Sequence, residues 1–303
     1  MTTPLLLHGT EIADTFAEAF PMTAARVIVT AATAEWADEA ARAATGYAAS
    51  VIGCDTEAGT ERLLEPHETP DGRPGVSLLF FAFSRDALQK ALVNRVAQCI
   101  LTCPTTACFN GMPIDSARSL RIGGNLRFFG DGWQISKLLE GQRYWRIPTM
   151  DGEFLCEDLF GTTKGVAGGN LLILGESRTP TLSAAKDAVA AMRAIPGIIA
   201  PFPGGIVRSG SKVGSKYKAL KASTNHEYCP TLRGAVKSEL PEGVNVVYEI
   251  VIDGLDLATV KAATWAGMQA LAGKPGIRRI TSGNYGGKLG PYHIHLRELL
   301  EGR

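Results

Sequence analysis

The sequence predicts an α+β fold of two duplicated ferredoxin-like (βαββαβ) lobes with antiparallel sheets. Two observations carry this expectation. Strand-like apolar runs and alanine-rich helical stretches follow one another in the order strand, helix, strand, strand, helix, strand, and that order occurs twice. There is also local similarity between the halves: Gly9 to Phe16 (GTEIADTF) echoes Gly152 to Phe160 (GEFLCEDLF). The expected lobes are 1–148 and 149–303, meeting near Pro148, and 303 residues are enough for two cores.

In the first half, Val27-Ile28-Val29 marks a β-branched strand over Ala25 to Ala31. Thr33 is suited to cap a helix that carries Ala40, Ala41 and Ala44 and stops at Gly46. A short strand is expected at Ala49 to Gly53 and a strong apolar one at Gly75 to Phe83, after the turn Pro70-Asp71-Gly72. Ser84 is suited to cap the second helix, through Leu88, Leu92 and Val96, and a closing strand is expected around Gly124 to Phe129. In the second half the strands are expected at Asn170 to Gly175, Ile198 to Ala200, Val244 to Ile252 and Arg278 to Ser282. The helices are expected at Thr181 to Ala194 and Asp256 to Leu271.

With 45% apolar residues and a net charge of +1, the chain reads as a soluble globular protein with no nucleic-acid-binding character. The start has no basic segment ahead of its short apolar run, and no stretch is long enough to span a membrane. Six cysteines in a chain this long do not form a disulfide framework, so a cytoplasmic setting is expected. Cys99, Cys103 and Cys108 lack a C-x-x-C pair, and His293 and His295 lack a third ligand, so no metal site is expected. The segment Gly210 to Lys216 fails the phosphate-loop spacing, and no dinucleotide fingerprint or nucleophile elbow is present.

The stretch 201–230 stands apart. It combines Gly204, Gly205, Gly210 and Gly214 with Arg208, Lys212, Lys216, Lys218 and Lys221, against one acid, Glu227. Permissive backbone and clustered ammonium groups suit a ligand with several carboxylates or phosphates. It makes the connection between the second and third strands of the second half roughly twice as long as its counterpart, the length of a functional loop. On the strand that follows, Glu249 interrupts the apolar run VVYEIVI, whereas the corresponding strand of the first half has no carboxylate. Period-two alternation allows Glu249 to face solvent. Burial would instead raise its pKa and favour a carboxylic acid.

The runs Glu11 to Phe20, Gly165 to Asn170, PFPGGIVRSGSKVGSK and Gly283 to Gly290 together resemble the formylmethanofuran:tetrahydromethanopterin formyltransferase family, over nearly the whole chain. The resemblance implies a homotetramer that moves a formyl group between the amine of methanofuran and N5 of tetrahydromethanopterin, both substrates, with no metal or prosthetic group. It places the catalytic carboxyl at Glu249, in Tyr248-Glu249-Ile250-Val251-Ile252. It implies that anionic substrate groups meet Lys212 and Lys216, with Ser209, Ser211, Gly204, Gly205, Asn170, Thr224 and Asn225 as further substrate-binding positions. Tyr47 to Leu64 and Trp133 to Gln142 depart from the archaeal pattern, and the composition fits the methylotrophic bacterial version. There the homologue is one subunit of a formyltransferase/hydrolase complex that releases formate. The rival expectation is a non-catalytic scaffold for partner subunits, and a third is an anion-binding regulatory module.

Overall fold

In the computed structural model, residues 4–115, 117–208 and 211–302 are described. The chain forms two units, Met22–Gly165 and Met1–Pro21 with Val166–Arg303, each with its own apolar core. It is a mixed α/β structure with a large, mostly antiparallel sheet.

Two short strands, β1 (Leu5–Leu7) and β2 (Thr10–Ile12), form a hairpin ahead of the long strand β3 (Phe16–Thr30), which runs from one unit into the other. Within Met22–Gly165, α1 (Ala34–Thr45) begins at Thr33, whose side chain accepts the Trp36 amide, and buries Ala37, Ala40, Ala41 and Ala44 at helical spacing. Next come β4 (Glu57–Leu64), β5 (Gly75–Ala82), α2 (Arg85–Arg95) and β6 (Ala107–Asn110). Strand β5 pairs with both β4 and β3, and β6 flanks β3, all antiparallel. Beyond β6, β7 (Ile135–Leu139), β8 (Gln142–Thr149) and β9 (Gly152–Glu157) form an antiparallel meander, with β9 parallel to β6.

Two expected strands are corrected. Residues Ala49 to Gly53 form a turn, with the Gly53 and Cys54 amides both donating to the Ser50 carbonyl, and pairing is deferred to β4. Residues Gly124 to Phe129 form helical turns, because the Asn125 and Leu126 amides fold back on the Ile122 carbonyl. A Cβ on Gly123 would stand 2.4 Å from the Glu157 carbonyl oxygen, a close approach only glycine allows. The fourth strand is instead β6, whose ACFN is too short for periodicity to reveal.

In the other unit, β10 (Thr163–Gly175) is followed by α3 (Arg178–Arg193), β11 (Ile198–Ile199), β12 (Ser211–Val213), β13 (Ala222–Thr224), β14 (Val246–Gly254), α4 (Leu257–Leu271), β15 (Ile277–Thr281), β16 (Tyr292–His295) and α5 (Leu296–Glu301). Strand β14 pairs with β11 and β10, and β15 flanks β10. Helices α3 and α4 pack closely against each other, since a Cβ on Gly267 would lie 2.0 Å from Met192 Cε. Among the described residues no helix is long and apolar enough to cross a membrane.

Candidate active site

Glu249 sits in the middle of β14, flanked by backbone on both sides. It lies opposite Leu172 of β10. On its other edge it exchanges two 2.8 Å backbone hydrogen bonds with Val207, which follows the Pro203–Gly205 turn. Both neighbours being fixed, the side chain has one direction to take. It is 6% exposed and buried beside an apolar strand, so the solvent-facing alternative does not hold.

Its partner is Asn170, two residues before Leu172 on β10 and diagonal to Glu249 across the pair. Asn170 Nδ2 donates to Glu249 Oε1 at 2.7 Å, while Asn170 Oδ1 accepts the Gly283 amide at 3.1 Å. That second bond fixes which end of the amide faces the carboxyl. A bulge between Val166 and Gly169 accompanies this placement, with Gly168 at φ 89° and its amide bonded to Asp253. Burial pushes the Glu249 carboxyl up to about 7, against the smaller opposing pull of the Asn170 hydrogen bond. Near neutral pH it is therefore shared between acid and carboxylate, and with Oε1 taken by Asn170, Oε2 is the oxygen that can carry and deliver a proton.

A cleft of about 400 Å³ opens beside Glu249, lined by Leu172, Val207, Arg208, Thr224, Asn225, Tyr228, Cys229, Pro230, Thr231, Val247 and Tyr248. It thus brings Thr224, Asn225 and Glu249 together with Arg208. The other residues named from sequence are placed less directly. Lys212, on β12, makes a 2.7 Å ion pair with Glu227 and contacts His226 Nε2 at 3.1 Å. Burial is the largest single influence and raises the Glu227 carboxyl, but the Lys212 hydrogen bond, a backbone hydrogen bond and the charges of Lys212 and His226 together outweigh it, so the net shift is downward. Lys216 is exposed on the connection between β12 and β13. Gly204 and Gly205 take positive φ, 65° and 82°, and Gly205 packs so closely on α3 that a Cβ there would stand 2.7 Å from Val189 Cγ1. Ser209 lies outside the described residues, and of Ser211 only the backbone, paired with Thr224, is described.

The sequence counts Arg208 only toward the loop's charge and Tyr228 only among the loop's apolar anchors, and it gives Tyr285 no role in a site. Tyr285 is held protonated, pushed up to about 12 first by burial and then by the charges of Glu249 and Glu18. No periodicity marks these residues, because they come from irregular segments brought together only by the fold. Among the described residues, no group of three or more histidine, cysteine or acidic side chains could hold a metal ion.

Residues 5–149 match the sequence profile of formylmethanofuran-tetrahydromethanopterin formyltransferase, and residues 152–299 match that described as FTR, proximal lobe. The chain belongs to this family. It is 57% identical to formylmethanofuran--tetrahydromethanopterin formyltransferase of Methylobacillus flagellatus, over 98% of this chain and 100% of that protein. Among solved structures it superposes on the formyltransferase/hydrolase complex from Methylorubrum extorquens in complex with methylofuran. There the TM-score is 0.95 at 51% identity, covering 98% of this chain and 99% of that one. It also superposes on the formyltransferase from Methanosarcina barkeri, with TM-score 0.92 at 49% identity, covering 97% and 100%.

Proposed function

We propose that the chain transfers a formyl group between methanofuran, or a bacterial analogue, and N5 of tetrahydromethanopterin, with Glu249 as its catalytic acid. Family membership over both halves supports the reaction, and the acid poised near neutrality in a cleft supports the residue. One amine nitrogen attacks the formyl carbon, a tetrahedral intermediate forms, and its carbon–nitrogen bond to the other amine breaks. The protein aligns two bound substrates, stabilises the oxyanion and moves one proton. Protonated Glu249 can hydrogen-bond the oxyanion from Oε2 and then hand its proton to the leaving nitrogen, regaining one from the attacking nitrogen. Donor and acceptor react directly in a ternary complex, without a formyl-enzyme.

The cleft residues Thr224, Asn225 and Arg208 are assigned to binding, and Asn170 to orienting the carboxyl. Lys212, Lys216, Ser209, Ser211, Gly204 and Gly205 are assigned to the loop that meets anionic substrate tails. For Lys212 this requires the tail to compete with Glu227. The lobes are taken as two duplicated ferredoxin-like units along 1–148 and 149–303. The support is that in each unit the third strand lies between the first and second and the fourth flanks the first. By contacts the first 21 residues pack with the second unit.

The chain is read as a cytoplasmic protein of one-carbon metabolism in a methylotrophic bacterium, acting as a homotetramer or with hydrolase subunits, and the Methylorubrum formyltransferase/hydrolase complex supports the second form. The test is formyl transfer from formylmethanofuran by the purified chain alone. Turnover supports an autonomous enzyme, whereas tight association with other subunits and no turnover would favour the scaffold reading.

A further inference from the structure

A second carboxyl group is buried in the same unit and the proposed chemistry does not use it. Glu18, on β3, is 2% exposed. Its Oε2 accepts the Leu289 amide at 3.2 Å, while its Oε1 has no hydrogen-bond partner among the described residues. Burying a carboxyl group with one such bond is costly, and a glutamine or an apolar residue would serve stability better. What that bond holds explains the cost. Leu289 lies near the end of the segment Gly283 to Gly290, which is also hydrogen-bonded to Thr15 and Phe16 at the start of β3 and to Asn170, the partner of Glu249.

At its start, the Gly283 amide donates to Asn170 Oδ1 at 3.1 Å, and Ser282 Oγ donates to the Asn170 carbonyl at 2.9 Å. Next, Asn284 Nδ2 donates to Thr15 Oγ1 at 2.9 Å and to the Phe16 carbonyl at 3.2 Å. At its end, Gly290 sits so close to β3 that a Cβ there would stand 2.2 Å from the Ala19 carbonyl oxygen. Across the segment, a Cβ on Gly287, at φ 78°, would lie 3.1 Å from His293 Cε1, and His293 pairs with Glu18 in register. Tyr285 lies in the middle of the segment and feels the charges of both Glu249 and Glu18.

We propose that Glu18 is a positioning residue for formyl transfer, which anchors the Gly283 to Gly290 segment and through it holds Asn170 against Glu249. This rests on Glu249 being the catalytic acid. Freed of Glu18, the far end of the segment shifts, the Gly283 amide leaves Asn170 Oδ1, and the Asn170 amide no longer presents Nδ2 to the carboxyl.

The test compares Glu18→Gln, which keeps an oxygen for the Leu289 amide, with Glu18→Ala, which does not. Both are first checked for parent-like circular dichroism and melting. Glu18→Gln is expected to keep kcat within about threefold of the parent, and Glu18→Ala to lose about tenfold or more in kcat with little change in KM. In a Glu249→Gln background, Glu18→Ala is expected to cost nothing further, because the two act as one unit. A parent-like kcat in Glu18→Ala, no rescue by glutamine, or an additive loss in the double variant would overturn the proposal. If Glu249→Gln alone kept parent turnover, the catalytic assignment would fall, and Glu18 would be judged on the Asn170 side-chain amide by NMR. Its protons are expected to exchange slowly in the parent and in Glu18→Gln and faster in Glu18→Ala. Equal exchange in all three would sink the positioning role by itself.

Discussion

Each unit buries a glutamate beside its central strands, and the two are held in opposite ways. In the first unit Glu61, on β4, is 6% exposed. It takes two 2.7 Å hydrogen bonds from the Arg26 guanidinium and one of 2.6 Å from Ser77. In the second unit Glu249 is also 6% exposed, yet among the described residues the side chain that donates to it is the neutral amide of Asn170. The same burial thus gives a structural ion pair in one place and an acid poised near neutrality in the other. Depth decides the cost of a charge, and the partner decides whether the group carries it.

The comparison breaks if the two glutamates respond alike to loss of charge. Glu249→Gln is expected to cut turnover by roughly a hundredfold or more with the fold retained, measured as steady-state formyl transfer. Arg26→Leu strands Glu61 and is expected to cost about 3 kcal/mol of stability, reduced from a fully buried pair because Arg26 is partly exposed, read from denaturant melts. A large loss of stability from the first, or none from the second, would contradict the contrast.

The acid also leaves a mark on stability. Burial raises the folded pKa of Glu249 above its ordinary 4.5 to about 7, so the folded state binds more protons than the unfolded state across that window. Stability attributable to Glu249 is therefore fullest below about 4.5 and is lost as pH rises through about 7, by roughly 3 kcal/mol in all. Glu249→Gln removes the loss. Against the parent it is expected to gain in melting temperature on going from pH 5 to pH 8, and a parallel pair of curves would refute the raised pKa. The smallest effect is reserved for the loop. Lys216→Ala is expected to raise KM by a few-fold with kcat unchanged, because an exposed lysine contributes modest screened attraction, and salt should shrink the difference.

Much of the architecture was legible because it rests on periodicity. The VNVVYEIVI and GVSLLFFAF runs and the alanine spacing of α1 announce buried strands and an amphipathic helix whatever their neighbours. The misplaced strands lacked that signal. Ala49 to Gly53 has the β-branched residues but turns on Ser50, and β4 (EAGTERLL) pairs along β5 without looking like a strand. Glu249 was visible as a carboxylate inside an apolar strand. Its exposure was not, because period-two alternation does not say what lies on each face, and here the chain returning through Val207 helps cover it. The Asn170 contact joins residues 79 apart in sequence, and the fold alone brings them within a hydrogen bond.

The paired backbone bonds between Val207 and Glu249 also act as a register lock on the long connection. Everything from Arg208 to the β12–β13 hairpin hangs beyond that lock, so residues can be added or removed at the hairpin tip, around Lys216, without sliding the acid along its strand. On the proposed assignment of this loop to anionic substrate tails, the same chain segment can be retailored for longer or shorter tails while the Glu249 carboxyl stays where it is. A library varying the tip alone is accordingly the place to look for altered carrier preference at constant chemistry.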